Sequence, residues 1–319
     1  MDDLLYLSEA AVAACCDVGA LGIVDAIEAA LRHSHDRTAP VAVILLDRQN
    51  GTKFIAKAGS LTEPAYTAVK WFGLNPRNRE VSLPDYDPLI LLSETSSGRP
   101  VALLSGRWIT GVRTAALSAV AARRLSRPDA ESIGFVGCGS QARHHLHMLR
   151  QLFPVRRVMA FSRTSASARS FCDDACCADL AAYVTQSARD AVSDVDVVVT
   201  SVPRDAAMGI KLRGEWTRPD AFVAMVDRGF SWDPVSLDAF RLALTDDVRL
   251  SGPGGPEDTI WGKGLSHDLA DLIGGRISQF GAAGRSALAF SGTALADVAT
   301  AALVYDRAVA LGAGCKLPR

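Results

Sequence analysis

Apolar residues recur along this chain in two rhythms, and the change from one to the other divides it. In the first third, "SEAAVAACCDVGALGIVDAIEAALRHSH" repeats its apolar positions at helical spacing, whereas "VAVILLD" and "TKFIAKAGS" are strand-like runs joined by the turn "RQNG". "PLILLSETSSGRPVALLSG" reads as two strands about a turn bounded by Gly and Pro. The alanine-rich "RWITGVRTAALSAVAARRL" predicts a long helix of good propensity, which Arg127-Pro128-Asp129 breaks, and that break is a candidate domain boundary.

From Ser132 onward, strands alternate with helices. "SIGFVG" and "RRVMAFSR" are separated by one helix, and "VDVVVTSVP", "AFVAMVD" and "RLALTDD" follow as buried strands bounded by turn residues. This predicts an α/β fold with a doubly wound parallel sheet of Rossmann type, preceded by a mixed α/β region. "ALAFSGTALADVATAALVYDRAVALGAG" closes the chain with a short apolar stretch, a Gly-Thr turn and a long helix.

Composition narrows the partners. The chain has 319 residues, enough for two ordinary domains, and 34 Lys and Arg nearly balance 35 Asp and Glu. No broad positive field attracts nucleic acid or an anionic membrane, and no apolar run approaches the roughly 18 residues of a membrane span. Met1 is followed by two aspartates rather than by a basic and then apolar leader, so a cytoplasmic protein with a small-molecule partner is expected. Seven cysteines, an odd number, argue for a reducing compartment rather than a disulfide framework. Cys172, Cys176 and Cys177 lack a second Cys/His group at zinc-site spacing and read as core or surface thiols.

The chemistry concentrates at "ESIGFVGCGSQARHHLHML". Gly137, Gly139, Ser140, Gln141 and Ala142 fit G-x-G-x-x-G/A directly after a strand and at the opening of a helix. The first glycine allows the tight turn, the second lets backbone approach a pyrophosphate, and the small Ala142 lets helix and strand pack closely. Free N–H groups at the helix N-terminus complete a phosphate cradle. After the second strand, Ser162-Arg163-Thr164 offers no carboxylate for an NAD ribose; an arginine beside two hydroxyls suits a 2'-phosphate, so NADP(H) is favoured, with NAD(H) possible. His144 and His147 share a helix face, but further metal ligands are lacking, so no metal is expected and the histidines read as helix surface or packing.

"VKWFG" with Lys70, "ITGVRTAALSA" with Arg113, "VGCGSQA" and "GTALADVATAALVYD" together resemble the ornithine cyclodeaminase/mu-crystallin family over nearly the whole chain. "KWFGLNPRN" and "PLILLSETSSGRPVALL" are nearer to its amino-acid dehydrogenases of 2,3-diaminopropionate pathways and its imine reductases than to the cyclodeaminases proper. The resemblance implies a homodimer with a substrate-binding and dimerisation domain over residues 1–117 and 290–319, and a Rossmann domain over 118–289. It implies hydride transfer between a nicotinamide and the α-carbon of an amino or imino acid.

Residue by residue, Lys70 and Arg113 match positions that hold the substrate carboxylate, and Gly292 a substrate contact. Thr114 would face the cofactor's phosphates, with further cofactor contacts at Ser201, Val202 and Met225. Asp227 lies close to the family's catalytic aspartate and would hold the amine or pass its proton, as Lys70 would also act in catalysis; Asp233 is the weaker substitute. The chain departs from the family at Ala42, where a further cation is often found, which implies a substrate that is bulkier, that carries its carboxylate differently, or that is an imine with another acidic arm. A cyclodeaminase releasing ammonia with catalytic NAD, and a binding protein that retains the cofactor without turnover, are the alternatives. "SGPGGPEDTIWGKG", Ser251 to Gly264, reads as either a lid or a long connection.

Overall fold

A computed structural model describes residues 3–15, 19–33, 39–48, 51–84, 86–203, 209–251, 259–261, 264–277 and 284–318. The chain divides into two compact units, Met1–Arg113 with Thr293–Arg319, and Thr114–Gly292. The break at Arg127-Pro128-Asp129 is not the division. The cut falls inside the predicted long helix, which runs from Arg107 to Leu125, so Thr114 groups with the second unit. At the other end, Gly292 groups with the second unit and Thr293 with the first.

The first unit is built on a seven-stranded mixed sheet. Its strands are β1 (Leu4–Leu7), β2 (Val41–Asp47), β3 (Lys53–Ser60), β4 (Tyr66–Leu74), β5 (Leu89–Glu94), β6 (Pro100–Ser105) and β14 (Cys315–Leu317), in the order β14-β1-β6-β5-β4-β3-β2. Strands β2 to β6 form an antiparallel meander, whereas β1 lies parallel to β6. β2 and β3 pair antiparallel, with Gln49 and Asn50 of the predicted "RQNG" turn outside the described residues, and the turn bounded by Gly98 and Pro100 joins β5 to β6. The first helical run divides into α1 (Glu9–Cys15) and α2 (Gly19–His33). The short end strands β1 and β14, too brief to show a period, have no counterpart in the sequence reading.

The second unit carries an all-parallel sheet. It comprises β7 (Ser132–Val136), β8 (Arg157–Phe161), β9 (Ala181–Val184), β10 (Val197–Thr200), β11 (Phe222–Met225), β12 (Phe240–Thr245) and β13 (Arg285–Ala289), ordered β12-β13-β11-β10-β7-β8-β9. Counting from β7, the first five strands follow the 3-2-1-4-5 order of a Rossmann sheet, with the reversal between β7 and β10. β7, β10 and β11 are buried along their whole length, as continuous apolar runs require when helices cover both faces. The helices in chain order are α3 (Arg107–Leu125), α4 (Ser140–Leu149), α5 (Ser165–Ala175), α6 (Ala188–Val192), α7 (Val248–Ser251), α8 (Leu269–Ile273) and α9 (Ala294–Leu311). α9 starts at the Thr293 cap, ends at Gly312 in the left-handed conformation, and packs on α2, β3 and β4. Among the described residues no helix is long and apolar enough to cross a membrane. The Ser251 to Gly264 connection lies mostly outside the described residues.

Candidate functional site

In the first unit, Lys70, Arg113 and a third residue, Asp297, form a buried charge cluster. Lys70 stands on β4, Arg113 on α3 and Asp297 in the first turn of α9, where the helix dipole favours a carboxylate. The Lys70 ammonium lies 2.9 Å from Asp297 Oδ1 and 2.8 Å from Oδ2, and Arg113 Nε is 3.0 Å from Oδ1. The arginine contact has ion-pair distance without hydrogen-bond alignment, so buried Nε and Nη1 of Arg113 both lack a hydrogen-bond partner. Lys70 also donates to Thr110 Oγ1 at 3.4 Å, which accepts from the Tyr86 hydroxyl at 2.6 Å. Phe72, beside Lys70 on β4, packs edge-on against Tyr86.

Burial first, and then the Arg113 charge, pull the Lys70 ammonium down to about 7, with Asp297 opposing them. Burial alone raises the pKa of Asp297, but Arg113 and Lys70 outweigh it and hold its carboxyl below the usual range. One carboxylate therefore faces two cations, one of which has unspent donors. A carboxylate ligand suits that imbalance, because a guanidinium can bind it with two parallel bonds.

In the second unit, the glycine loop follows β7 at the strand-order reversal. Gly137 has φ +93°, and a Cβ there would lie 2.7 Å from the Ser201 carbonyl oxygen. Its N–H donates to Phe161 O at 2.8 Å, and Ser201 Oγ donates to its carbonyl at 3.2 Å. Gly139 is different: it has ordinary φ and, among the described residues, nothing within 4 Å of where a Cβ would be. As the N-cap of α4 it supplies no side-chain bond, so the first N–H groups of the helix are left for a ligand. Ser140 is exposed, Ala142 is fully buried, and Gln141 Oε1 is a buried atom without a hydrogen-bond partner. These features fit a dinucleotide pyrophosphate.

The remaining predicted positions divide by exposure. Ser162 is half-buried, whereas Arg163 and Thr164 are exposed; Thr164 caps α5 by accepting from Ser167 N at 3.4 Å. Thr114 is buried, and Val202 and Met225 belong to the hydrophobic core, Met225 without exposed surface. Gly292 has φ +80° just ahead of the α9 cap.

Asp227 is buried in the turn after β11 and its carboxylate is already occupied. Oδ1 accepts from Thr200 Oγ1 at 2.9 Å and Gly229 N at 3.1 Å, and Oδ2 from Ser231 Oγ at 2.6 Å. Trp232 Nε1 donates in turn to Thr200 Oγ1 at 3.3 Å. Burial raises the Asp227 pKa; bonds from Ser231, Thr200 and the N–H groups of Gly229 and Val202 pull the other way. Asp233 caps a short helical turn by accepting from Val235 N.

His145 is a core residue between helices. Its Nε2 pairs with Ser118 Oγ at 2.8 Å, its Nδ1 with Gln141 O at 2.7 Å, and burial lowers its pKa to about 4. His147 is exposed, and among the described residues no group of three or more His, Cys, Asp or Glu is placed to hold a metal.

The profile of the ornithine cyclodeaminase/mu-crystallin family matches residues 8–312. The chain belongs to that family. It is similar to alanine dehydrogenase of Archaeoglobus fulgidus, with 27% identity over 267 residues, 79% of this chain and 80% of that protein. Similarity to the ketimine reductase mu-crystallin of Mus musculus is 26% over 83% of each chain. Among solved structures, a Thermococcus litoralis Δ1-pyrroline-2-carboxylate reductase in complex with NADH and L-proline superposes with a TM-score of 0.86. At 21% identity, covering 98% of this chain and 100% of that one, it shares the fold.

Within this family member, Asp297, Thr110 and Tyr86 were missed as site residues. Asp297 stands in the quoted "GTALAD" stretch, but a single helical Asp carries no sign of which cations it will face. Register places Ala42 on the face of the sheet opposite to that of Lys70. Ala42 is exposed and pairs with Ala58, whereas the β2 residue in the row of Lys70 is Val43.

Proposed function

We propose that this family member is an NAD(P)(H)-dependent oxidoreductase acting on the C=N bond of an imino acid or the C–N bond of an amino acid, with NADP(H) favoured. The observation that carries the substrate side is Arg113, a buried guanidinium with two unpartnered nitrogens beside Lys70. The names of the relatives, alanine dehydrogenase and ketimine reductase, point to the same two bond types.

Arg113 and Lys70 bind the α-carboxylate, with Asp297 holding both cations in place. A nicotinamide held there would supply the hydride for the α-carbon, and reduction of C=N requires one proton at nitrogen as well. Lys70, with its ammonium near 7, is suited to give that proton at neutral pH. Asp227, with both oxygens occupied within its own turn, shapes the loop after β11 rather than donating. The glycine loop and the bare N-terminus of α4 hold the pyrophosphate. Ser162 and Arg163 take the ribose or its 2'-phosphate, and Thr164 sets the start of α5.

The homodimer belongs to the same reading. Ile44, Ala56, Trp71 and Leu89 form one cross-strand row on the outer face of the mixed sheet, with Ile44, Trp71 and Leu89 all exposed. An apolar face of this kind suits a second copy, and the solved archaeal alanine dehydrogenase is described as a dimer with bound NAD. A cytoplasmic location goes with it.

The test is a titration with NADPH and with NADH, followed by tryptophan fluorescence in the wild type and Arg163→Ala. NADPH should bind more tightly, and the substitution should weaken it about tenfold or more while sparing NADH. NADH binding better, with no effect of Arg163→Ala, would overturn the cofactor preference; binding of neither would overturn the oxidoreductase reading. In turnover, the reductive rate should fall as pH rises through about 7, where Lys70 loses its proton.

A further inference from the structure

We propose that Tyr86 and Thr110 form a proton relay that reloads Lys70 after each turnover. The inference rests on the reading of Lys70 as the proton donor, and both residues act through Lys70 as positioning residues. The Tyr86 hydroxyl donates to Thr110 Oγ1 at 2.6 Å, and the Lys70 ammonium donates to the same oxygen at 3.4 Å. The first bond is short for two hydroxyls and the second long for an N–H donor, so the Lys70 end is the one that exchanges easily. Tyr86 is half-buried, whereas Lys70 is 2% exposed. The chain of hydroxyls therefore runs inward from a residue that meets solvent to one that barely does.

The aim of Tyr86 is fixed by its neighbours. It bridges Leu74 at the end of β4, and its ring packs edge-on against Phe72 with centroids 5.0 Å apart. Phe72 is two residues from Lys70 on β4 and so shares its face, with the ammonium 5.8 Å from its ring centroid. The charged groups that face Lys70 come from three elements: Arg113 of α3, Asp297 of α9 and Lys57, which stands directly opposite on β3. On β5 the residue opposite Lys70 is the apolar Ile90. Asp297 is held ionised by the cations beside it and has no proton to give, and a guanidinium keeps its own. Lys57 acts on Lys70 as a like charge, which loosens the hold on its proton.

The step balances. Reduction of C=N takes a hydride at carbon, with oxidation of a nicotinamide, and a proton at nitrogen from Lys70, which is left neutral. Neutral Lys70 presents a lone pair in place of one N–H bond. The Thr110 hydroxyl turns about its C–O bond and gives that lone pair its proton, the Tyr86 proton passes to Thr110, and water returns one to Tyr86. Burial raises the Tyr86 pKa, so the phenol gives its proton only as it takes another and no phenolate accumulates.

The experiment uses Tyr86→Phe, which keeps the ring and removes the hydroxyl, and Thr110→Val, which breaks the chain at its second oxygen. With Δ1-pyrroline-2-carboxylate and NADPH at the Lys70 midpoint of about 7, the first turnover in a stopped-flow trace should keep its wild-type rate in both variants. Steady-state kcat should fall about tenfold or more, and the double variant should lose no more than either single one. Thr110→Ser should recover the wild-type rate, and imidazole buffer should restore kcat in Tyr86→Phe and Thr110→Val without raising it in wild type. Equal losses in first turnover and steady state, or no response to imidazole, would overturn the relay, as would a deficit in Lys57→Gln without one in Tyr86→Phe. Carbon NMR of protein labelled at the lysine Cε gives a readout without turnover. The Lys70 signal, assigned by its loss in Lys70→Met, should titrate as one averaged line in wild type and broaden near its midpoint in Tyr86→Phe; identical behaviour would overturn the proposal. If the signals differ while the wild type reduces no imine, the relay stands and the reading of the reaction fails.

Discussion

The Asp297 cluster and the Asp227 turn are both buried and both centred on a carboxylate, yet they are finished to different degrees. Asp227 accepts from donors of its own surroundings, Thr200, Gly229 and Ser231 among them, and Thr200 is anchored in turn by Trp232. Asp297 faces Lys70 and Arg113, and two nitrogens of that arginine remain unspent. A buried polar group without a partner costs about 1–3 kcal/mol, so the fold tolerates at Arg113 what it avoids at Asp227. Closed polar networks hold a shape, and open ones wait for a ligand. That contrast, more than the presence of an aspartate, separates binding machinery from scaffolding in this chain.

The comparison is most sharply tested by removing the charge of Asp297. Asp297→Asn leaves buried cations facing one another and should lower the unfolding free energy by about 3–5 kcal/mol in a urea titration. A loss no larger than that of a surface substitution would mean that the cluster is not the unbalanced one. The second test concerns a closed network. Native His145 stays neutral down to about 4, whereas the unfolded chain takes up its proton near 6.5. Unfolding free energy should therefore fall as pH drops from 6.5 to 4, by roughly 3 kcal/mol from this residue, and the corresponding part of the pH slope should vanish in His145→Gln. The smallest effect is expected at the glycine loop: Gly137→Ala should cost about 1–3 kcal/mol of stability and abolish dinucleotide binding in the fluorescence titration. Unchanged stability there would contradict the contact with Ser201.

The Rossmann sheet was legible because its strands are continuous apolar runs and its glycine loop sits between one strand and one helix. β9, four residues of mixed exposure at a sheet edge, lacks that signal and was not read. Lys70 and Arg113 were legible through motif resemblance, and the structure brings both onto one carboxylate. Asp297 was not, since its role depends on α9 returning to β4 from the far end of the chain. The placing of Lys57 opposite Lys70 was hidden for another reason: "TKFIAKAGS" is readable as a strand, but which of its residues opposes Lys70 depends on register, and a shift of one residue sends the side chain to the other face. The Arg127-Pro128-Asp129 break was a true helix end mistaken for a domain end, because proline reports backbone geometry and not where contacts thin out.

The glycines around the loop differ in what requires them. Gly134 and Gly137 are enforced by the protein's own packing, since a Cβ would meet Ala191 O at 2.0 Å in one case and Ser201 O at 2.7 Å in the other. Gly139 is enforced by nothing among the described residues. A lineage that stopped using dinucleotides would have to keep the first two and would be free to let the third drift. The bare backbone at Gly139, which the described packing does not call for, is thus the place in the loop where a group approaching from outside meets no side chain.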